Sequence, residues 1–460
     1  MPRPDANEQS NNNSPIHRGR GKPLLQIFMK FGTEILKQAD VLATFSEDAP
    51  LITRTYLSKE HKQAGNYLIS LMRDAGMTAD FDPLGNIVGR YEAGVPFAPV
   101  VMTGSHQDSV RNAGRYDGLF GILSPIACVK ELNRQGKRLP YTLEIVGFGD
   151  EEGVRFPATL IGSKAMAGLF DPAWLDKTDA NGVTMRQAIN DFGGDAEKWR
   201  ELDRRNASLT SAHGEVVAFV ESHIEQGPVL LNEGLAVGVV SAIAGATRLR
   251  VKVTGLAGHA GTVPMGARQD ALTAACEMIL FVESYCTESA GPFGLVGTVG
   301  VMSVKPGAVN VIPQDVEFTM DVRSSDDARR AVALNALAEE FAGIAKRRNV
   351  AVTSTAFFSS NAAPCDIGLQ QQLERAIRAH GIAPRTLPSG AGHDAMVFPA
   401  VAPTAMLFVR CGNNGISHHP DETMTAEDAE VATSVLLHFF EAYQPAQFSP
   451  SSAQRADRQI

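Results

Sequence analysis

Two short runs constrain this chain more than any other feature: Pro99 to Thr103, apolar almost throughout, and Thr142 to Phe148, nearly so. A strand without polar alternation is buried on both faces, as happens in parallel sheets covered by helices on both sides. Between the two runs, Leu119 to Leu132 is apolar at helical spacing and stops before Gly136, with Pro125 a candidate kink. Upstream, Lys59 to Ala75 reads as a helix. Ser58 can cap it, Ala64, Leu68, Leu71, Met72 and Ala75 recur on one face, and Gly76 can close it. Asn86 to Tyr91 reads as a further strand. Strands alternating with helices predict an α/β fold with a mostly parallel sheet.

The pattern changes near Ala246. Leu249, Val251 and Val253 alternate with Arg248, Arg250, Lys252 and Thr254, as in a strand with one wet face. A helix (Asp270 to Ser284), strands near Leu295 to Val304 and Asp315 to Arg323, a helix (Asp326 to Lys346) and a strand (Ala351 to Phe357) follow. That β-α-β-β-α-β order predicts a ferredoxin-like unit. Buried-strand character returns after Asn361, with Thr404 to Val409. Residues 246–359 are thus expected as an insert in a larger domain of 23–245 and 360–445. The polar ends, 1–22 and 446–460, are expected to be disordered.

Composition serves mainly to exclude. A net charge of −9 without a basic stripe argues against a nucleic-acid backbone as partner. No apolar run approaches the length of a membrane span, and the first twenty residues hold no signal-like apolar core. Cys128, Cys276, Cys286, Cys365 and Cys411 are scattered, with no C-x-x-C pair, which fits a reducing cytoplasm.

Three strings carry the chemistry: Gly104-Ser105-His106-Gln107-Asp108, Tyr116-Asp117-Gly118 and Asp150-Glu151-Glu152-Gly153. They set an imidazole and several carboxylates beside apolar segments, the ligand types that a pair of divalent ions takes. His106 and Asp108 face the same way in an extended chain, so His106 can ligate while Asp108 fixes its other ring nitrogen. A lone H-x-D is more often a hydrogen-bonded turn histidine. Asp117 suits a helix cap, or alternatively a carboxylate bridging two ions roughly 3.5–4 Å apart. Glu151 and Glu152 would repel if both faced one point, unless one binds metal and the other handles protons. For His223 and Glu225, and for the pair His418 and His419, spacing alone does not separate a ligand from a core histidine.

Taken in order, G-S-H-x-D, Y-D-G, D-E-E-G-x-R-F, H-I-E-Q-G-P, G-x-A-x-H-A-G, N-V-I-P, D-V-R, G-A-G-H-D-A and G-I-S-H-x-P resemble one family. It is the hydantoinase/carbamoylase branch of the M20 metallopeptidase-like amidohydrolases, and the likeness runs from about Thr53 to about Phe440. The resemblance implies a catalytic domain holding two divalent ions (manganese, zinc or cobalt) and an inserted lid that also forms a homodimer. His106, Asp117 and His223 would hold one ion, and Asp117, Glu152 and His418 the other, His418 being preferred to His419 because the branch shows S-H-x-P. Glu151 would be the general base and His259 would stabilise the oxyanion, in its own cleft or the partner's. Gln226, His259, Asn310, Arg323, Gly392 and His393 match substrate-contacting positions.

The implied reaction is hydrolysis of a ureido C–N bond in a carboxylate-bearing N-carbamoyl compound, releasing ammonia and carbon dioxide. Ile52 to Ser58 and Phe408 to Cys411 look most like allantoate amidohydrolases. N-carbamoyl-L-amino-acid hydrolase and β-ureidopropionase are the alternatives. Peptidases of this fold usually have a carboxylate where His223 stands, and a non-catalytic metal-binding dimeric scaffold is a remoter reading.

Overall fold

A computed structural model describes residues 30–96, 98–206, 213–291 and 294–445, so the ends expected to be disordered lie outside the described residues. Helices α1 (Gly32–Ala43) and α2 (Lys59–Asp74) come first, then strands β1 (Thr78–Phe81), β2 (Ile87–Tyr91) and β3 (Val100–His106). Next are α3 (Leu119–Arg134), β4 (Thr142–Phe148), α4 (Ile161–Met166), α5 (Met185–Phe192), β5 (Val216–Ile224), α6 (Val229–Glu233) and β6 (Val237–Ile243). A second group follows: β7 (Gly245–Thr254), β8 (Gly258–His259), α7 (Ala271–Ser289), β9 (Val296–Thr298), β10 (Met302–Lys305), β11 (Val311–Ile312), β12 (Asp315–Ser324), α8 (Asp327–Arg348) and β13 (Ala351–Ser360). The chain then makes β14 (Ala363–Pro364), α9 (Ile367–Ala379), β15 (Thr386–Ser389), β16 (Thr404–Val409) and α10 (Ala426–Ala442).

Local chemistry sets several boundaries. Ser58 accepts the His61 N–H to start α2, and Gly76 leaves it at φ +93, a backbone that glycine adopts without strain. Helix α3 runs through Pro125 as one element, buried along most of its length. Every residue of β3 and of β4 is buried. Val101 and Ile145 enter one core, with α2, α3 and α10, while Met102 and Val146 enter the other, with α4 and α5. The helices therefore sandwich the sheet.

The large sheet runs β1-β2-β4-β3-β5-β16-β6-β14, with β15 beside β6. Its centre, β4-β3-β5-β16, is parallel. The flanks refine the expectation of a mostly parallel sheet: β1, β2 and β14 pair antiparallel, and β6 is antiparallel to β16 but parallel to β15. The nearly full burial of β6 looks alike in either pairing direction, whereas β1 and β2, toward the sheet edge, alternate and are only partly buried.

The smaller sheet is antiparallel, in the order β10-β12-β7-β13 with β9 also on β12. Val316, Phe318, Met320 and Val322 of β12 pack with residues of α7 and α8. The strand expected from Leu295 to Val304 is broken into β9 and β10 around Val301, whose carbonyl still accepts the Thr319 N–H. A two-stranded arm, β8 with β11, had no signal in the alternation because each strand is two residues long. Among the described residues no helix is long and apolar enough to cross a membrane.

Candidate metal centre

Parallel pairing brings the carboxyl ends of β4, β3, β5 and β16 side by side, where open α/β sheets bind their ligands. His106 is the last residue of β3, still within the strand, and His223 is in β5. Glu151 and Glu152 follow β4, Asp117 precedes α3, and His418 lies in the turn after β16. The turn beyond β4 passes through Asp150 at φ +60. All these donors line one cavity of about 580 Å3, together with Gln226, Gly392 and Arg323.

Asp117 is the centre of the cluster. Its Oδ1 is 3.7 Å from His106 Nε2 and 3.3 Å from His223 Nε2. Its Oδ2 is 3.0 Å from His418 Nε2, which is in turn 3.4 Å from Glu152 Oε1. Two triads, His106–Asp117–His223 and Asp117–Glu152–His418, each bring their donor atoms within 4.8 Å of one another. Those are the two sets named from the family resemblance, and they share Asp117. His106, Glu151 and Glu152 make a further such group.

The hydrogen-bond pattern suits a cation. His106 Nδ1 faces the Asp108 carbonyl at 3.1 Å and His223 Nδ1 faces the Ile224 carbonyl at 2.9 Å. A carbonyl only accepts, so Nδ1 carries the hydrogen and Nε2 turns to the cluster, although His223 Nε2 also accepts the Gly118 N–H at 3.3 Å. Asp117 Oδ2 and Glu152 Oε1 are buried, and beyond the His418 ring nitrogen that faces both they take no hydrogen-bond donor. Burial opposes charge on His106, yet Asp117, with Glu151 and Asp108 behind it, pushes the imidazole up; the hydrogen bond to Asp117 raises His418 to about 9. Burial likewise opposes charge on Asp117, and His106, His223 and His418 nevertheless hold its carboxyl well below the usual range. The cluster demands positive charge at its centre, and imidazole with carboxylate is a borderline-cation donor set.

Glu151 and Glu152 differ in their settings. Burial and then Asp117 raise Glu152 to about 7, while burial and then Glu152 push Glu151 well up. Asp108 organises both. Besides lying 3.6 Å from His106 Nδ1, its carboxylate accepts the backbone N–H groups of Glu151 at 3.1 Å and Glu152 at 3.2 Å. The sequence pattern pointed to the histidine contact and not to these amides.

The remaining predicted residues separate. Gln226 donates to Asp117 Oδ1 at 3.1 Å, and its own Oε1 has no donor. A side chain at Gly392 would stand 3.6 Å from Glu151 Oε1. Arg323 is held by Asp321 at 3.1 Å and donates to the Gly390 carbonyl at 2.9 Å. His393 is buried behind His223, ring edge to ring face at 4.4 Å, with Nε2 2.8 Å from Ser389 Oγ, and does not line the cavity. His259 and Asn310 are exposed on the β8–β11 arm, also away from the cavity lining. His419, set aside as a variable neighbour, is 3.6 Å from Asp421 in the exposed turn.

Two residues escaped the sequence reading. Lys164 lines the cavity and donates to the Thr159 carbonyl at 3.0 Å; a lone charge in the otherwise buried helix α4 was its available signal. Glu422 is buried beside the cluster, although it lies in a polar turn where an acid is ordinarily solvated.

The chain matches the model of peptidase family M20/M25/M40 over residues 92–442. It is 39% identical over 387 residues to an N-carbamoyl-L-amino acid amidohydrolase of Geobacillus stearothermophilus, spanning 84% of this chain and 92% of that protein. An allantoate deiminase of Arabidopsis thaliana is 37% identical over 435 residues, spanning 89% of this chain and 82% of that protein. An amidase of the hydantoinase/carbamoylase family from Burkholderia multivorans superposes with a TM-score of 0.82 at 32% identity, covering 90% of this chain and 98% of its own.

Proposed function

The chain belongs to peptidase family M20/M25/M40, as an amidohydrolase of the carbamoylase and allantoate deiminase group, and from that premise we propose that it hydrolyses a ureido C–N bond of allantoate. Ammonia and carbon dioxide are the small products. The observation that carries this reading is the shared position of Asp117 between two donor triads, with Glu151 in the same cavity.

In this reading His106, Asp117 and His223 hold one divalent ion and Asp117, Glu152 and His418 a second, both manganese, zinc or cobalt. Bound there, such ions supply acidity to water and polarise a carbonyl. The protein's own groups do the rest. Glu151, raised by burial, takes a proton from water and passes it to the leaving nitrogen, so that a neutral amine departs. Gln226 Oε1 is free to accept a ureido N–H. Arg323 offers its guanidinium to the substrate carboxylate. Gly392 lines the cavity beside Glu151. His393 holds the His223 ring.

His259 and Asn310 act in this proposal from a second copy of the chain, His259 on the developing oxyanion. Exposed Val296, Val301, Met302 and Val309 on the antiparallel unit support a homodimer through the insert. The five cysteines are all free, which supports a cytoplasmic location.

One observation favours a second substrate. Leu160, Leu169, Met396 and Val397 give the cavity an apolar wall, which suits the side chain of an N-carbamoyl-L-amino acid better than a second ureido group. Ammonia release from allantoate, N-carbamoyl-L-methionine and 3-ureidopropionate, with manganese and zinc in turn, tests the proposal. Allantoate is expected to be fastest. Faster turnover of N-carbamoyl-L-methionine would replace allantoate with the second reading, and no release from any of them would overturn the ureido reaction.

A further inference from the structure

Glu422 is buried, and both of its carboxylate oxygens are committed to the metal cluster's own loops. Oε1 accepts the backbone N–H groups of Tyr116 at 2.8 Å and Asp117 at 3.2 Å. Oε2 accepts the Ser417 hydroxyl at 2.7 Å, immediately before His418. The connection continues: Gln226 Nε2 reaches Ser417 Oγ at 3.4 Å and Asp117 Oδ1 at 3.1 Å. Asp117, Glu422, Ser417 and Gln226 thus form a closed hydrogen-bonded ring that grips Asp117 by both backbone and side chain.

The loop that carries His418 needs such a grip. Asn413, Asn414 and His418 all have positive φ, at 47, 58 and 56, a left-handed backbone that Asn and His reach more readily than other residues with a Cβ. The Asp117 loop leaves room for the brace: a side chain at Gly114 would come within 2.2 Å of the Glu422 carboxyl carbon. Of the proposed ligands, only His418 comes from this loop, so the ring bears on one triad more than on the other.

We propose that Glu422 is a positioning residue that locks the His418 loop to the Asp117 loop, and thereby sets the affinity of the Asp117–Glu152–His418 site selectively. The inference rests on the two-ion reading above. Its thermodynamic content is that an outer hydrogen-bond partner holds ligands in place, and loss of such a partner commonly costs about 10–100-fold in metal affinity.

The test is zinc binding to the full chain by equilibrium dialysis with elemental analysis, beside thermal unfolding of the metal-free protein. The native chain is expected to bind two zinc ions. Glu422→Ala is expected to bind one of the two ions about 10–100-fold less well and to leave the other near native. Glu422→Gln should restore the second ion, because its amide oxygen still accepts both backbone N–H groups and its NH2 donates to Ser417 Oγ. Ser417→Ala cuts the same ring while leaving Glu422 in place, and is read in the same way if Glu422→Ala does not fold. Native affinity for both ions in Glu422→Ala, or in Ser417→Ala when that variant stands in for it, overturns the proposal. So does equal weakening of both ions. Native protein that binds no zinc would instead remove the two-ion reading itself, and this inference with it.

Discussion

Asp108 Oδ1 accepts the backbone N–H of Glu151 at 3.1 Å, so the proposed base is anchored through its main chain while its carboxylate stays in the cavity. An exchange of the Glu151 side chain should therefore leave the metal ligands in place. Glu151→Gln is expected to lower turnover by about 10²–10⁴-fold, the usual worth of general acid–base catalysis, with metal content unchanged. Ammonia-release kinetics and elemental analysis check both halves. Near-native turnover would remove Glu151 as the base.

Asp117 serves both triads, so no other single side chain should matter as much to metal binding. Asp117→Ala is expected to bring the bound metal after dialysis clearly below that of the native chain, where Glu151→Gln does not. Elemental analysis of the two variants side by side decides the point. Native stoichiometry in Asp117→Ala would mean that the carboxylate bridges nothing.

Arg323 is held by Asp321 and faces the same cavity as the cluster. Hydrogen bonds to a charged group are worth about 1.5–3 kcal/mol, so Arg323→Ala should raise KM for a carboxylate substrate by roughly 10–100-fold. The matching carboxamide analogue should be far less affected. Equal losses on both substrates would refute carboxylate recognition by Arg323.

His61 makes stability depend on pH through a group outside the proposed metal ligands. It is buried, its Nδ1 accepts the Leu57 N–H at 2.8 Å, and burial, with Arg54 and Arg155 behind it, lowers it to about 3. In the unfolded chain it titrates near 6.5, so on acidification the unfolded state takes up the proton first. The His61 contribution is whole above about pH 6.5 and falls by roughly 1.4 kcal/mol per pH unit toward 3. His61→Asn keeps an acceptor near Nδ1 and removes the titration. Its unfolding free energy from denaturant titrations at pH 7, 6 and 5 should decline less steeply than the native chain's, and identical slopes would exclude His61 as the source.

Much of the large domain's core was legible because it depends on near neighbours. The run Thr142 to Phe148 became β4 with the same ends, and Ser58 capped α2 through a residue three positions on. The strings around His106, Asp117 and Glu151 stood out because charged groups follow buried strands directly. Glu422 gave no such signal and His393 came only from a motif match: an acid in a polar turn and a histidine after glycines look solvated until packing buries them. The exposed β8–β11 arm illustrates the opposite gap, since a motif names His259 without saying which cavity it serves.

By itself the amino-acid sequence determined the kinds of donor present, the strands and helices whose ends carry them, and the caps that stop those elements. All of these follow from interactions within a few residues. Only the tertiary structure decided which donors meet. Whether His223 and His418 stand beside Asp117 depends on β5 being laid next to β3, and β16 next to β5, in one sheet. That pairing joins segments more than a hundred residues apart, and no local periodicity records it.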